Sequence, residues 1–138
     1  MTKTVKWAGL MAMVVALGAC QSKAPAVGKE IETHRGGGMV VALSNEKGEL
    51  TQGPNQFMVT LRSATDNQPV NARNVSVNAT MAMPGMAPMS GGVEVSPGST
   101  AGQYVAKGIF DMSGSWRFEV RWDGPSGKGS TAFNTNVR

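Results

Sequence analysis

The chain is poor in the residues that usually build metal centres and nucleophilic sites. Of its 138 residues one is a cysteine, Cys20, and one is a histidine, His34. No internal disulfide can form, and no Cys/His zinc set can be assembled. Aromatic residues make up 6% and charged residues 16% of the chain, and the basic ones are scattered singly. Without a basic run or an aromatic-basic interleaving there is no nucleic-acid footprint. A Ser-His-Asp set, a phosphate-binding loop and a metal-hydrolase motif are all missing, so an enzyme is not expected. Gly36, Gly37 and Gly38 are read as a hinge, because no helix follows them. Asp111 and Asp123 have no acid/base partner at a recognisable spacing. Glu119 alternates with Arg117 and Arg121 as one solvated strand face.

What is present begins at the N-terminus. Lys3 and Lys6 precede an apolar run, Trp7 to Ala16, that is too short to span a bilayer as a mature helix. It runs into Leu17-Gly-Ala-Cys20, which resembles the lipobox of bacterial lipoproteins. That resemblance implies cleavage after residue 19 and diacylation of Cys20. Two or three acyl chains anchor firmly where one does not. Gln21 stands where an Asp would retain such a protein at the inner membrane. The expected location is therefore the cell envelope, facing the periplasm, with the outer membrane favoured. The full chain carries a formal charge of +4; removing Lys3 and Lys6 leaves 11 basic and 9 acidic side chains. This near balance names no charged partner.

Residues 20–37 read as a flexible, lipid-anchored tether, because Gln-Ser-Lys-Ala-Pro-Ala-Val-Gly lacks periodicity and the glycine triplet ends it. From Met39 onward the pattern is β. Phe57, Val59 and Leu61 alternate with polar neighbours, as do Val75 and Val77, and Trp116, Phe118, Val120 and Trp122. Short apolar runs at 39–43, 93–95, 104–110 and 132–137 are separated by Gly, Pro and Asn clusters. The expectation is all-β: a single antiparallel immunoglobulin-like β-sandwich of seven to eight strands over residues 38–138. Phe57, Leu61, Val75, Val77, Tyr104, Phe110, Trp116, Phe118 and Val120 are its expected core.

Methionine is what the chain has in excess. Ten are present, four of them within nine residues: Met81, Met83, Met86 and Met89. Thioether sulfur is a soft ligand suited to Cu(I) and, by the same logic, Ag(I). It is also a polarizable gap-filler for irregular cores. Met81 and Met83, two apart, are expected on one face of a strand. Pro84-Gly85 then turns the chain so that Met86 and Met89 fold back. His34, in the tether, is a minor ligand candidate and is expected to be solvated.

The order of landmarks resembles the YtkA-like / FixH-like family of extracytoplasmic β-sandwich domains. They are Gly53-Pro-Asn-Gln-Phe57, Gln68-Pro-Val70, Met83-Pro-Gly-Met86, Gly102-Gln-Tyr104, Phe110-Asp-Met112 and Gly114-Ser-Trp116. The resemblance implies a small envelope domain with copper handling as a shared theme, beside heavy-metal efflux components or in cytochrome oxidase maturation. It also implies that Met112 lies near the Met-Pro-Gly-Met loop. Where several relatives carry a histidine just after that motif, this chain has Ala87-Pro-Met89, which leaves a methionine-only site.

Two readings follow. In one, Met86 and Met89, completed by Met83, Met81 or Met112, hold Cu(I) or Ag(I) for transfer to an efflux or oxidase-assembly partner. In the other, no metal binds and the loop is an adaptable docking surface. Met83 and Met112 are equally placed to pack against Trp116 or Tyr104.

Overall fold

Alternation of apolar and polar side chains, interrupted by turn residues, builds nine antiparallel strands in the computed structural model, which describes residues 28–138. Residues 1–27, with the signal segment, Cys20 and the first part of the tether, lie outside the described residues. The strands are β1 (Lys29–Gly36), β2 (Met39–Asn45), β3 (Gly53–Ser63), β4 (Arg73–Met81), β5 (Met89–Ser90), β6 (Glu94–Pro97), β7 (Gln103–Phe110), β8 (Gly114–Gly124) and β9 (Gly127–Val137). They form two sheets, ordered β1-β2-β3-β7-β6 and β5-β4-β8-β9. The all-β sandwich is as expected, with nine strands where seven to eight were expected.

Inward positions follow the period of two that a two-layer fold requires, and Val40 on β2 and Thr60 on β3 are buried as well. Val41 and Leu43 on β2, Val59 and Leu61 on β3, and Trp116, Phe118 and Val120 on β8 are wholly buried. Phe118 sits at the centre, with ring centroids 6.1 Å from Phe57, 5.7 Å from Phe110 and 6.1 Å from Phe133. Truncating such a ring to alanine costs about 3–5 kcal/mol. Val75, an expected core residue, is only half-buried. It packs at the margin of the core, beside a register shift between Arg73 and Ser76 in the β4–β8 pairing where Asn74 has φ 50°.

The tether is the larger correction. Its second half is β1, paired with β2 from Lys29↔Asn45 to Gly36↔Met39. The supposed glycine hinge is a two-residue hairpin turn. Gly37 and Gly38 have φ of 61° and 77°, the left-handed pair that a tight hairpin demands and that glycine adopts without strain. β1 also packs against β9 and closes one side of the sandwich. The folded domain therefore starts at β1, upstream of residue 38.

The connection leading into β4 is heavily hydrogen-bonded. The Tyr104 hydroxyl accepts from the Ala72 amide at 2.7 Å and donates to the Ala72 carbonyl at 2.8 Å. The Gly102 amide donates to Asn71 Oδ1 at 2.9 Å, and the Leu61 amide donates to the Gly102 carbonyl at 2.8 Å. The Gly-x-Tyr landmark is thus a structural clasp.

Candidate functional site

The loop that leaves the other end of β4 carries the methionines. Along β4 the inward row runs Val77, Ala79, Met81, with Met81 half-buried where the strand ends. Pro84 pre-sets φ for the second position of a turn. Gly85, at φ 72°, takes the third, and the Met86 amide donates to the Met83 carbonyl at 3.1 Å. These are the marks of a type II turn, whose end residues have Cα atoms within about 7 Å of each other. β5 then returns antiparallel to β4, pairing Thr80 with Ser90 and Met81 with Met89. Directly opposed residues on such a pair have Cα atoms about 4.5–5.5 Å apart and side chains on one face. The four methionines therefore form two nested pairs across one hairpin: Met81 with Met89 at its base, Met83 with Met86 at its tip.

The two pairs live in different surroundings. Met81 and Met89 pack against the hydrophobic core. The Met81 methyl lies directly over Gly114, so close that a Cβ there would come within 2.6 Å of it. Met83 is half-buried, and Met86 is 71% exposed. Met112, in the turn between β7 and β8, is 40% exposed. Its carbonyl accepts the buried Trp116 indole N–H at 3.0 Å, and the neighbouring Asp111 carbonyl accepts from the Gln52 side-chain amide at 2.8 Å. Because Gly114 follows Met112 by two residues and lies against Met81, this turn and the methionine hairpin are neighbours. Gly91 ties the hairpin to both sheets, its amide donating to Ala79 on β4 at 2.8 Å and its carbonyl accepting from Ile109 on β7 at 3.0 Å.

Several expectations change with this geometry. Met83 does not share a strand face with Met81, because β4 ends at Met81 and Met83 begins the turn. Met89 lies on a strand and packs against the core, whereas Met86 is as exposed as a Pro/Gly loop suggests. His34 is not a solvated tether residue. It stacks on Phe133 with ring centroids 5.4 Å apart and an interplanar angle of 23°. Phe133 belongs to β9, the edge of its sheet farthest from β5, so His34 is removed from the methionines. Met112 presents its carbonyl, not a buried thioether, to Trp116.

Chemically, the hairpin offers sulfur and little else. No residue from Met81 to Ser90 carries a charge, and no side-chain hydrogen bond involves that stretch among the described residues. Among the described residues, no group of three or more His, Cys, Asp or Glu is placed to hold a metal ion. Glu119 is occupied by Arg121 at 2.8 Å, as its solvated strand face suggests. Three surface clefts lie elsewhere on the molecule, and none is lined by any of the five methionines. Neutral thioethers bind soft monovalent ions and discriminate against Zn(II), Mg(II) and Ca(II). The cross-hairpin register and the Gly114 seat of Met81 were hidden in the sequence. Only the Pro-Gly dipeptide announced a turn.

Comparison with known proteins agrees with the architecture. A family model described as YtkA-like matches residues 36–121. Among curated proteins none matches the chain. A DUF4426-family protein of Pseudomonas aeruginosa PAO1 superposes with a TM-score of 0.53 at 14% identity, covering 77% of this chain and 96% of that one. PcoC, a methionine-rich copper resistance protein of Escherichia coli, gives a TM-score of 0.46 at 16% identity, covering 65% of this chain and 87% of that one. The first of these likenesses is one of fold.

Proposed function

The chain belongs to the YtkA-like family, and from the arrangement of its methionines we propose that it binds a soft monovalent cation, Cu(I) or Ag(I), on the methionine hairpin. Met83 and Met86 at the tip are the first ligands, Met112 beside them is the next, and Met81 and Met89 form the packed base. The observation that carries this reading is the nested pairing of four thioethers beside a fifth, at one end of the sandwich. Labile sulfur ligands suit transfer by ligand exchange, so the role is that of a chaperone or buffer serving an efflux or oxidase-assembly partner. It is not an enzyme on this reading. Acylation of Cys20 would hold it in the envelope, with the outer membrane favoured. A Cys20→Ser protein that still fractionates with membranes would count against that anchor.

Anaerobic Cu(I) titration of residues 22–138 against a chromophoric chelator tests the metal reading. Stoichiometric competition is expected, reduced at least about tenfold in the double variant Met83→Leu/Met86→Leu, which keeps volume while removing soft donors. No competition at micromolar chelator would overturn it.

A metal-free adaptor is the second reading, and one observation favours it. Met86, Ile109 and Met112, the exposed large hydrophobics among the described residues, all lie around this end. Ile109 is 56% exposed and its amide bonds Gly91, beside β5. Such a patch suits protein docking. It predicts a partner whose binding is lost on Ile109→Ser without any metal present.

A further inference from the structure

The methionine end is two-tiered. Met86 stands 71% exposed at the hairpin tip and Met112 40% exposed in the adjoining turn, while Met81 and Met89 are packed against the core. We propose that Met86 and Met112 are a reversible oxidation site, converted to sulfoxides by hypochlorous acid or a like two-electron oxidant while Met81 and Met89 stay thioethers. The consequence for metal rests on the soft-metal reading above.

The chemistry follows from the placement. A thioether lone pair attacks the chlorine of HOCl and hydroxide leaves. Water then replaces chlorine on the sulfonium, releasing chloride and protons. The sum is thioether plus HOCl giving sulfoxide, H+ and Cl−: sulfur gives up an electron pair and chlorine accepts it. Access to the lone pair decides which methionine reacts first. It also decides what the product costs. A sulfoxide on Met86 or Met112 is hydrated and leaves the sandwich undisturbed. One on Met81 would place a polar S=O against the core and Gly114, where burying a polar group without a partner is unfavourable.

The same change removes two of the soft donors. A sulfoxide presents a hard oxygen in place of a polarizable sulfur, and Cu(I) or Ag(I) prefers the sulfur. Oxidation of Met86 and Met112 thus takes two sulfurs from the site and weakens it without unfolding the base that supports it. The exposed position of both sulfoxides leaves them open to methionine sulfoxide reductases. Conversely, a bound ion occupies the lone pairs and shields them.

The test is stepwise addition of HOCl to the purified protein, followed by peptide mass spectrometry and by Ag(I) competition against a chelator. Met86 should oxidise first and Met112 next, each at least about fivefold faster than Met81 or Met89, in line with their accessibility. Met39, 7% exposed on β2, serves as the protected reference. Equal rates at Met81 and Met86 would overturn the assignment. The sulfoxide form should bind Ag(I) at least about tenfold more weakly, and reductase treatment should restore binding. Undiminished affinity after oxidation at Met86 would overturn the switch while leaving the metal reading intact. If the unoxidised protein fails to compete for Ag(I), the metal reading falls and the switch with it, whatever order the masses show. A Met86→Leu protein, altered only at the exposed tip, should lose the fastest-forming sulfoxide and keep its fold.

Discussion

The two connections that flank β4 are built on opposite plans. Residues 64–72, entering the strand, are fixed by Ala72 on the Tyr104 hydroxyl, by Asn71 on the Gly102 amide, and by backbone bonds from Ala64, Asn67 and Val70. Residues 82–88, leaving it, hold one such bond, from the Met86 amide to the Met83 carbonyl. The first connection is specified by directional polar contacts, whose loss leaves partly buried groups without partners. The second is specified by a Pro-Gly turn and by nondirectional thioether packing, which tolerates rearrangement. Within one family domain, then, rigidity and adaptability are assigned to opposite ends of a single strand, and the methionines sit at the adaptable one.

The contrast can be broken from either side. Tyr104→Phe should have the largest effect. It removes a hydroxyl that serves both the amide and the carbonyl of Ala72, and should lower stability by about 1–3 kcal/mol, measurable as a fall in urea midpoint at unchanged slope. Met81→Leu comes next. It conserves volume but replaces a flexible side chain seated on Gly114 with a branched one, and should cost less than about 1.5 kcal/mol. Met86→Leu should stay within about 0.5 kcal/mol of the parent, as exposed substitutions do. A Met86 variant destabilised as much as the Tyr104 variant would mean that the hairpin tip is structural, and the two-plan description would fail.

The strands that alternate cleanly were legible from sequence. Phe57 to Leu61 and Trp116 to Trp122 sit in central strands, where one face is fully buried and the other is not, so hydrophobicity reports the period directly. β1 was not legible, for two physical reasons. It is an edge strand with one aliphatic residue, Ile31, among charged neighbours, and a register irregularity between Glu30 and Glu32 breaks its period of two. Its inward histidine is matched to Phe133, a residue about a hundred positions away that no local pattern could indicate. β5, two residues long, is below the length at which alternation can be read at all. At the candidate site the Pro84-Gly85 turn was readable from residue type. The partition of the methionines into base and tip was not, because it depends on where β4 ends and on which residue opposes Met81.

The placement of β1 has a consequence for reach. Lys29 pairs with Asn45 and packs on Gly48, at the same end of the sandwich as the turn carrying Met112 and the methionine hairpin. Nine residues separate Cys20 from Lys29, and a fully extended chain of that length spans at most about 30 Å. A lipid at Cys20 would therefore hold the methionine end toward the bilayer on a short leash, with the Tyr104 clasp pointing into the periplasm. If that anchor and the proposed metal reading both hold, the sulfurs face the membrane surface and the opposite end of the domain faces away from it.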